Sequence, residues 1–299
     1  MTDAAPAASG TGTRRRIKQL EVMVSEVVRE TADTTTLKLF TGNEALNYRP
    51  GHFLTIDPHQ FASLGRWVQY LEDVKGRKET ARAYSIASSP HEKRLAITVK
   101  EERYRSGHTA FPPLLSPLLV RRTPPGTSMV ITGFTGPYAL PEDIEARSSR
   151  LLHLCAGSGI VPNRSTLKYS LEHHPGLSHT LIYGNKTWDD IIYREELAAL
   201  QHAFPERLRV IHALSREPDA ARRGPDVRVG RVDRALIEEF LGDSASVDVF
   251  SCGPAISRFD KLRAQEAGEE PAPRFQETVL AALDALGVPK QRVHKESFG

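Results

Sequence analysis

The sequence has 299 residues, 39% hydrophobic and 26% charged, with a formal net charge of +3. That length suits two ordinary domains, each with its own core, and so small a net charge offers no concentrated basic face for nucleic acid. No run approaches the roughly 20 apolar residues of a membrane helix, so no membrane insertion is expected.

Residues 1–16 read as a disordered N-terminal tail of Ala, Ser, Thr and Gly that ends in Arg14-Arg15-Arg16. No apolar stretch follows those arginines to make a secretory signal. Cys155 and Cys252 are the only cysteines, which excludes a disulfide framework and any four-cysteine cluster built from this chain alone. A cytoplasmic protein is expected.

From residue 17 to 146 the apolar segments are short and alternating, at 20–24, 36–39, 52–56, 95–99 and 129–131, with turn signals such as Arg49-Pro50-Gly51 and Pro124-Pro125-Gly126 between them. The spacing predicts antiparallel strands of a small barrel or sandwich. Between them, Phe61, Leu64, Trp67, Val68 and Leu71 recur at helical spacing, predicting an amphipathic helix whose default role is packing.

From 147 to 299 the pattern changes. Apolar runs at 151–154, 180–183, 208–211 and 247–250 alternate with helical stretches. The clearest helix carries Phe275, Val279, Ala282, Leu283 and Leu286 on one face and stops at Gly287 and Pro289. Strands alternating with helices imply a doubly wound parallel α/β domain. The chain is thus an α+β two-domain protein.

The chemistry centres on Cys155-Ala156-Gly157-Ser158-Gly159-Ile160-Val161-Pro162. Strand, glycine turn and a helix starting at Pro162 make a site where backbone N–H groups and the helix dipole hold a pyrophosphate. It is not a full Gly-x-Gly-x-x-Gly, because Pro162 stands in the third glycine's place. Alone it could be an ordinary turn. However, Asn185-Lys186, Ser215-Arg216-Glu217 and Cys252-Gly253-Pro254 end other strands of the same half, on the rim where open α/β sheets bind ligands.

Together with Arg82-Ala83-Tyr84-Ser85, these segments resemble the ferredoxin–NADP⁺ reductase superfamily, in particular its bacterial oxygenase-reductase branches, from about residue 17 to the C-terminus. The resemblance implies an FAD-binding β-barrel over 17–146 and an NAD(P)-binding domain over 147–299. It places Arg82 on the FAD pyrophosphate, a task suited to its forked donors, with Ala83 in the same segment. Tyr84 falls against the flavin and ribityl region, and Ser85 near flavin N5. Thr98, Val99 and Lys100 resemble the next flavin-lining strand. Ser116 resembles a helix cap facing an FAD phosphate, although Pro113 replaces the usual glycine before it. Gly133-Phe134-Thr135-Gly136-Pro137-Tyr138 matches the turn that closes the flavin domain.

In the second domain the resemblance makes Gly157, Ser158, Gly159 and Pro162 the dinucleotide loop, and places Cys252, Gly253 and Pro254 against the nicotinamide. Hydride transfer needs alignment rather than a nucleophile there. Ser215 and Arg216 resemble the pair that neutralises an adenosine 2′-phosphate, with Asn185 and Lys186 assisting and Arg222 and Arg223 adding charge, so NADP is favoured and NAD remains possible. Glu296-Ser297-Phe298-Gly299 resembles an acidic-x-aromatic ending in which Phe298 covers the flavin and Glu296 assists proton movement or docking. The catalytic candidates are Ser85, Cys252 and Glu296; no metal ligands are expected. With no ferredoxin domain following, electrons are expected to pass singly to a separate iron–sulfur ferredoxin or oxygenase component. Two alternatives stay open: reduction of small acceptors such as free flavin or quinone, and a non-catalytic protein that keeps the fold to bind a nucleotide or to act as an assembly subunit. His52, where the family often has glutamine, reads as a hydrogen-bonded structural residue. Residues 257–273 read as a surface elaboration.

Overall fold

A computed structural model describes residues 19–42, 46–104, 106–107, 109–220 and 223–298. The predicted tail over 1–16 with Arg14-Arg15-Arg16 lies outside the described residues, as do Arg222 and Gly299. No described helix is long and apolar enough to cross a membrane.

The first half forms β1 (Leu20–Thr31), β2 (Thr34–Phe40), β3 (Phe53–Ile56), α1 (Gly65–Lys75), β4 (Arg82–Ser85), β5 (Leu95–Lys100), α2 (Ser116–Arg121) and β6 (Ser128–Thr135). The strands make one antiparallel sheet in the order β4-β3-β6-β1-β2-β5. An antiparallel bridge between Ile86 and Ile97 joins its two edges, closing a barrel. Alternation decides what fills it: Leu95, Ile97 and Val99 of β5 meet Val22, Leu37, Leu54 and Ile131 inside, while Ala96 on the outer face packs into the core of the second half.

α1 realises the predicted amphipathic helix. Val68 and Leu71 are buried with Leu114, and Trp67 and Phe111 pack beside them. Gly76 adopts φ +64° immediately after the last turn, a left-handed C-terminal stop that glycine accepts without a Cβ penalty.

The second half contains α3 (Ile144–Arg147), β7 (Arg150–Ala156), α4 (Ile160–His173), β8 (Ser178–Asn185), α5 (Arg194–Ala203), β9 (Leu208–Leu214), β10 (Val227–Val229), α6 (Arg234–Leu241), β11 (Val247–Pro254), α7 (Arg258–Ala267), α8 (Phe275–Ala285) and β12 (Val293–Phe298). All pairings are parallel, in the order β10-β9-β8-β7-β11-β12. One core lies under α4 and α5 and another under α6 and α8, so both sheet faces are covered. The chain reverses direction across the sheet between β7 and β11, the switch point at which such folds bind ligands.

The segment 257–273, expected as a surface elaboration, is mostly α7. A capping box starts this helix: the Ser257 hydroxyl accepts the Asp260 N–H at 3.0 Å and Asp260 accepts the Ser257 N–H at 3.2 Å. No residue of α7 is buried.

The halves are joined by charge. Arg164 on α4 donates to the Ala87 carbonyl at 2.6 Å, lies 3.2 Å from Glu92, and pairs with Glu196 of α5 at 2.7 Å. Lys168, one turn on, reaches both Glu92 and Glu196 at 2.8 Å. The Ser165 hydroxyl donates to the Ser88 carbonyl at 2.7 Å, and the hydroxyls of Thr98 and Tyr193 bond across the same seam.

Candidate active site

The glycine loop leaves the C-terminal end of β7. Gly157–Gly159 form one 3₁₀ turn and α4 begins at Ile160, two residues ahead of the expected start at Pro162, which sits within the first turn where its missing N–H costs nothing. The two glycines serve different ends. Gly157 adopts φ +54° with open space where a side chain would point, whereas a Cβ on Gly159 would collide with the Cys252 carbonyl oxygen. Gly159 is therefore required by the close approach of the loop to β11, and Gly157 leaves its outer face clear.

Behind the loop, Asn163 is 1% exposed. Its Nδ2 donates to the Gly159 carbonyl at 2.9 Å, and its Oδ1 accepts from the Tyr138 hydroxyl at 3.1 Å and from His153 Nδ1 at 3.0 Å. Burial, partly offset by Asn163, pushes His153 down to about 4, so it is neutral and its Nδ1–H is the donor. One amide thus ties the glycine turn to its strand and to the turn that closes the barrel. Nothing in the local sequence marks Asn163; its partners come from three segments.

Along the rim, the Ser215 N–H donates to the Asn185 carbonyl at 3.1 Å and the Arg216 N–H to the Lys186 carbonyl at 2.7 Å. These bonds lace the ends of β8 and β9 together and bring the four predicted residues into one loop pair. Ser215 and Arg216 are exposed, and Arg216 has no ion pair among the described residues. Glu217 turns the other way. Its carboxylate accepts the Trp188 N–H at 2.8 Å and pairs with Arg223 at 3.3 Å, contacts that hold it below the ordinary carboxylate range, the Trp188 N–H most of all. Arg223 in turn lies over the Trp188 ring at 5.2 Å, so Glu217 braces the loop. A cavity of about 350 Å³ next to this brace is lined by Trp188, Arg194, His212, Arg223 and Asp226 among others, and of the predicted cofactor residues it takes in Arg223 alone.

On the barrel side, Arg82 opens β4 and pairs with Glu79, while its other nitrogen donates to the Thr80 carbonyl at 2.6 Å. Glu79 is 6% exposed and also takes Lys75 of α1 at 2.6 Å, so the helix inserted ahead of the motif fixes the guanidinium. Ala83 and Tyr84 continue β4 against Thr55 and Leu54 of β3. At the end of the strand, the Ser85 hydroxyl donates to Glu296 at 3.3 Å, across 211 residues of sequence.

Glu296 stands on β12 opposite Cys252 of β11, and Phe298 opposite Pro254. Burial pushes the Glu296 carboxyl up, partly offset by Ser85. Burial likewise pushes the Cys252 and Cys155 thiols well up, so neither supplies a thiolate. Phe298, two residues beyond Glu296 on the same strand, is a large apolar residue left 38% exposed. Ser85, Cys252, Gly253, Pro254, Glu296 and Phe298 therefore converge where β4 meets the ends of β11 and β12, one strand over from the glycine loop.

Other predicted positions are committed elsewhere. Thr98 bonds Thr36 at 2.7 Å as well as Tyr193, Val99 is in the barrel core, and Lys100 pairs with Asp33 at 2.7 Å. Ser116 does not cap α2: it is that helix's first residue, with Leu115 at the cap position, and its hydroxyl accepts the Glu102 N–H at 3.1 Å. The hydroxyl is engaged by the Glu102 backbone and makes no capping bond to the helix. His52 Nδ1 accepts the Arg49 N–H at 3.2 Å, and burial, then Arg49, lowers its pKa, as a structural histidine requires.

Residues 154–259 match the family model for an oxidoreductase NAD-binding domain. The chain is similar to the ferredoxin reductase component of 3-ketosteroid-9-alpha-monooxygenase from Rhodococcus rhodochrous, 30% identical over 92% of this chain and 64% of that one. It is also similar to one of the subunits of 1,2-phenylacetyl-CoA epoxidase from Escherichia coli, 28% identical over 92% and 66%. It thus spans just under two thirds of the length of these relatives. Among solved structures, ferredoxin–NADP⁺ reductase from Plasmodium falciparum with 2′P-AMP superposes with a TM-score of 0.66 at 19% identity, covering 95% of this chain and 98% of that one; at that identity the likeness is one of fold. With the barrel, the parallel sheet, the glycine loop at the switch point and relatives that include a ferredoxin reductase component, the chain carries an oxidoreductase NAD-binding domain over residues 154–259 and is similar over most of its length to members of the ferredoxin–NADP⁺ reductase superfamily.

Proposed function

We propose that this chain binds FAD, takes a hydride from NADPH in preference to NADH, and passes electrons singly to a separate iron–sulfur ferredoxin or oxygenase component. The observation that carries the proposal is the meeting of Ser85 from the barrel with Glu296 and Cys252 from the α/β sheet, where a flavin edge and a nicotinamide need to face each other. Bound FAD would supply the exchange between hydride and single-electron chemistry. The rest falls to the protein. Arg82, already aimed by Glu79 and Thr80, would offer its fork to the FAD pyrophosphate. Ser85 holds a proton at the seam, and Glu296, with its pKa raised, can hold another. Phe298 supplies an apolar cover that keeps water off the reacting edge.

For the dinucleotide, the open face over Gly157 and the start of α4 suit a pyrophosphate. Exposed Arg216 beside Ser215 suits a 2′-phosphate, and the turning of Glu217 toward Trp188 removes the carboxylate that would oppose it. These 299 residues hold two cysteines, both buried, so a four-cysteine cluster that accepts the electrons lies outside them. The relatives' names favour an oxygenase-linked acceptor. Replacing Arg82 with alanine tests the flavin assignment: the purified variant should be depleted of FAD, and full flavin occupancy would overturn it.

A further inference from the structure

We propose that His91, Glu172 and His173 bind a transition-metal dication of the Zn²⁺ type, and that the bound ion clamps the two domains together. Each residue offers one ligand atom, and the three atoms lie within 4.8 Å of one another. His91 Nε2 is 3.2 Å from Glu172 Oε2. Two ligands held at about 2.0–2.1 Å by one tetrahedral Zn²⁺ are about 3.3 Å apart, so this edge of the polyhedron is already formed. The third ligand is set by its neighbour: His173 Nδ1 lies 3.1 Å from the Tyr169 carbonyl. That carbonyl fixes the proton on Nδ1 and leaves the Nε2 lone pair for a metal, the usual outer-shell arrangement of a ligating histidine.

The rings are ordered as well. His173 stacks on Tyr169 at 4.3 Å with an interplanar angle of 8°, and the His91 ring lies 5.1 Å from that of His173. Two imidazoles and one carboxylate favour Zn²⁺ and its neighbours over the all-oxygen ions Mg²⁺ and Ca²⁺. Glu172 and His173 are exposed, which leaves water to complete the coordination.

The placement gives the site its consequence. His91 belongs to the connection between β4 and β5 of the barrel, whereas Glu172 and His173 form the last turn of α4, the helix that starts at the glycine loop. The ion would bridge the seam already held by Arg164, Lys168 and Glu92.

The test is a calorimetric titration of the chelator-stripped full chain with Zn²⁺ and, as control, Mg²⁺, together with unfolding temperatures. The wild type should bind one equivalent of Zn²⁺, gain about 3–6 °C in unfolding temperature and ignore Mg²⁺. His91→Ala and His173→Ala should each weaken binding at least about tenfold. Glu172→Gln should weaken it too while keeping a hydrogen bond to His91, which separates loss of metal from loss of fold. Absence of saturable Zn²⁺ binding in the wild type would overturn the site. Wild-type affinity in His91→Ala would overturn the clamp, because the ion would then be held by one domain alone.

Discussion

Glu92 is the barrel's contribution to the charged seam, and replacing it with glutamine should loosen that seam in a pH-dependent way. Burial by itself would raise this carboxyl. Arg164, the hydrogen bond from Lys168 and the Ser89 N–H outweigh burial and hold it at about 2, against an ordinary value of 4.5. A depression of that size corresponds to about 3 kcal/mol of stability. The contribution is fully present above pH 4.5, where the unfolded chain is also ionised, and is lost as pH falls toward 2. Glutamine matches the protonated acid in shape and lacks its charge. Wild type and Glu92→Gln should therefore differ by about 3 kcal/mol at pH 6, with the gap closing between pH 4.5 and 2. Denaturant unfolding of both proteins across that range measures it. A gap of less than about 0.5 kcal/mol at pH 6, the size of an exposed surface pair, would refute the reasoning, as would a gap that does not change with pH.

Arg216→Ala should raise the KM for NADPH about 10- to 100-fold, the worth of a hydrogen bond to a charged group, and leave the KM for NADH within about twofold; equal changes would remove the 2′-phosphate argument. Gly159→Ala forces a Cβ into the Cys252 carbonyl and should cost about 3 kcal/mol or more in denaturant unfolding. Gly157→Ala meets only the left-handed backbone cost of about 1–2 kcal/mol, so the reverse order would show that the loop is held differently.

The strands visible in the sequence are those with one face in a core. Leu95, Ile97 and Val99 alternate because the barrel wall has an inside and an outside, and residues 151–154 and 247–250 are mostly apolar and buried throughout, His153 and Asp248 included, because both faces of the parallel sheet are covered. β12 and α7 have no such signature. Val293–Phe298 is an edge strand with three exposed positions, and α7 buries nothing, so neither carries a strong apolar period. The motif residues are legible in the sequence, but not their company. Glu79 aims Arg82 from the connection that follows an inserted helix, Asn163 braces the glycine turn with partners from three segments, and the seam joins Glu92 to Arg164 across 72 residues. Pairing between distant charges depends on which surfaces the fold brings together, and spacing along the chain does not encode it. Ser116 shows the opposite error. A serine before a short helix suggests a cap, but Ser116 is already the first residue of the helix and its hydroxyl serves Glu102, a partner 14 residues away.

The measurement that bears most directly on the proposed reductase is an anaerobic titration of the purified protein, followed by visible spectroscopy, with NADPH and separately with NADH. The protein should carry a flavin band that bleaches with both donors and faster with NADPH. A colourless protein, or a flavin band that neither donor bleaches, would contradict the account.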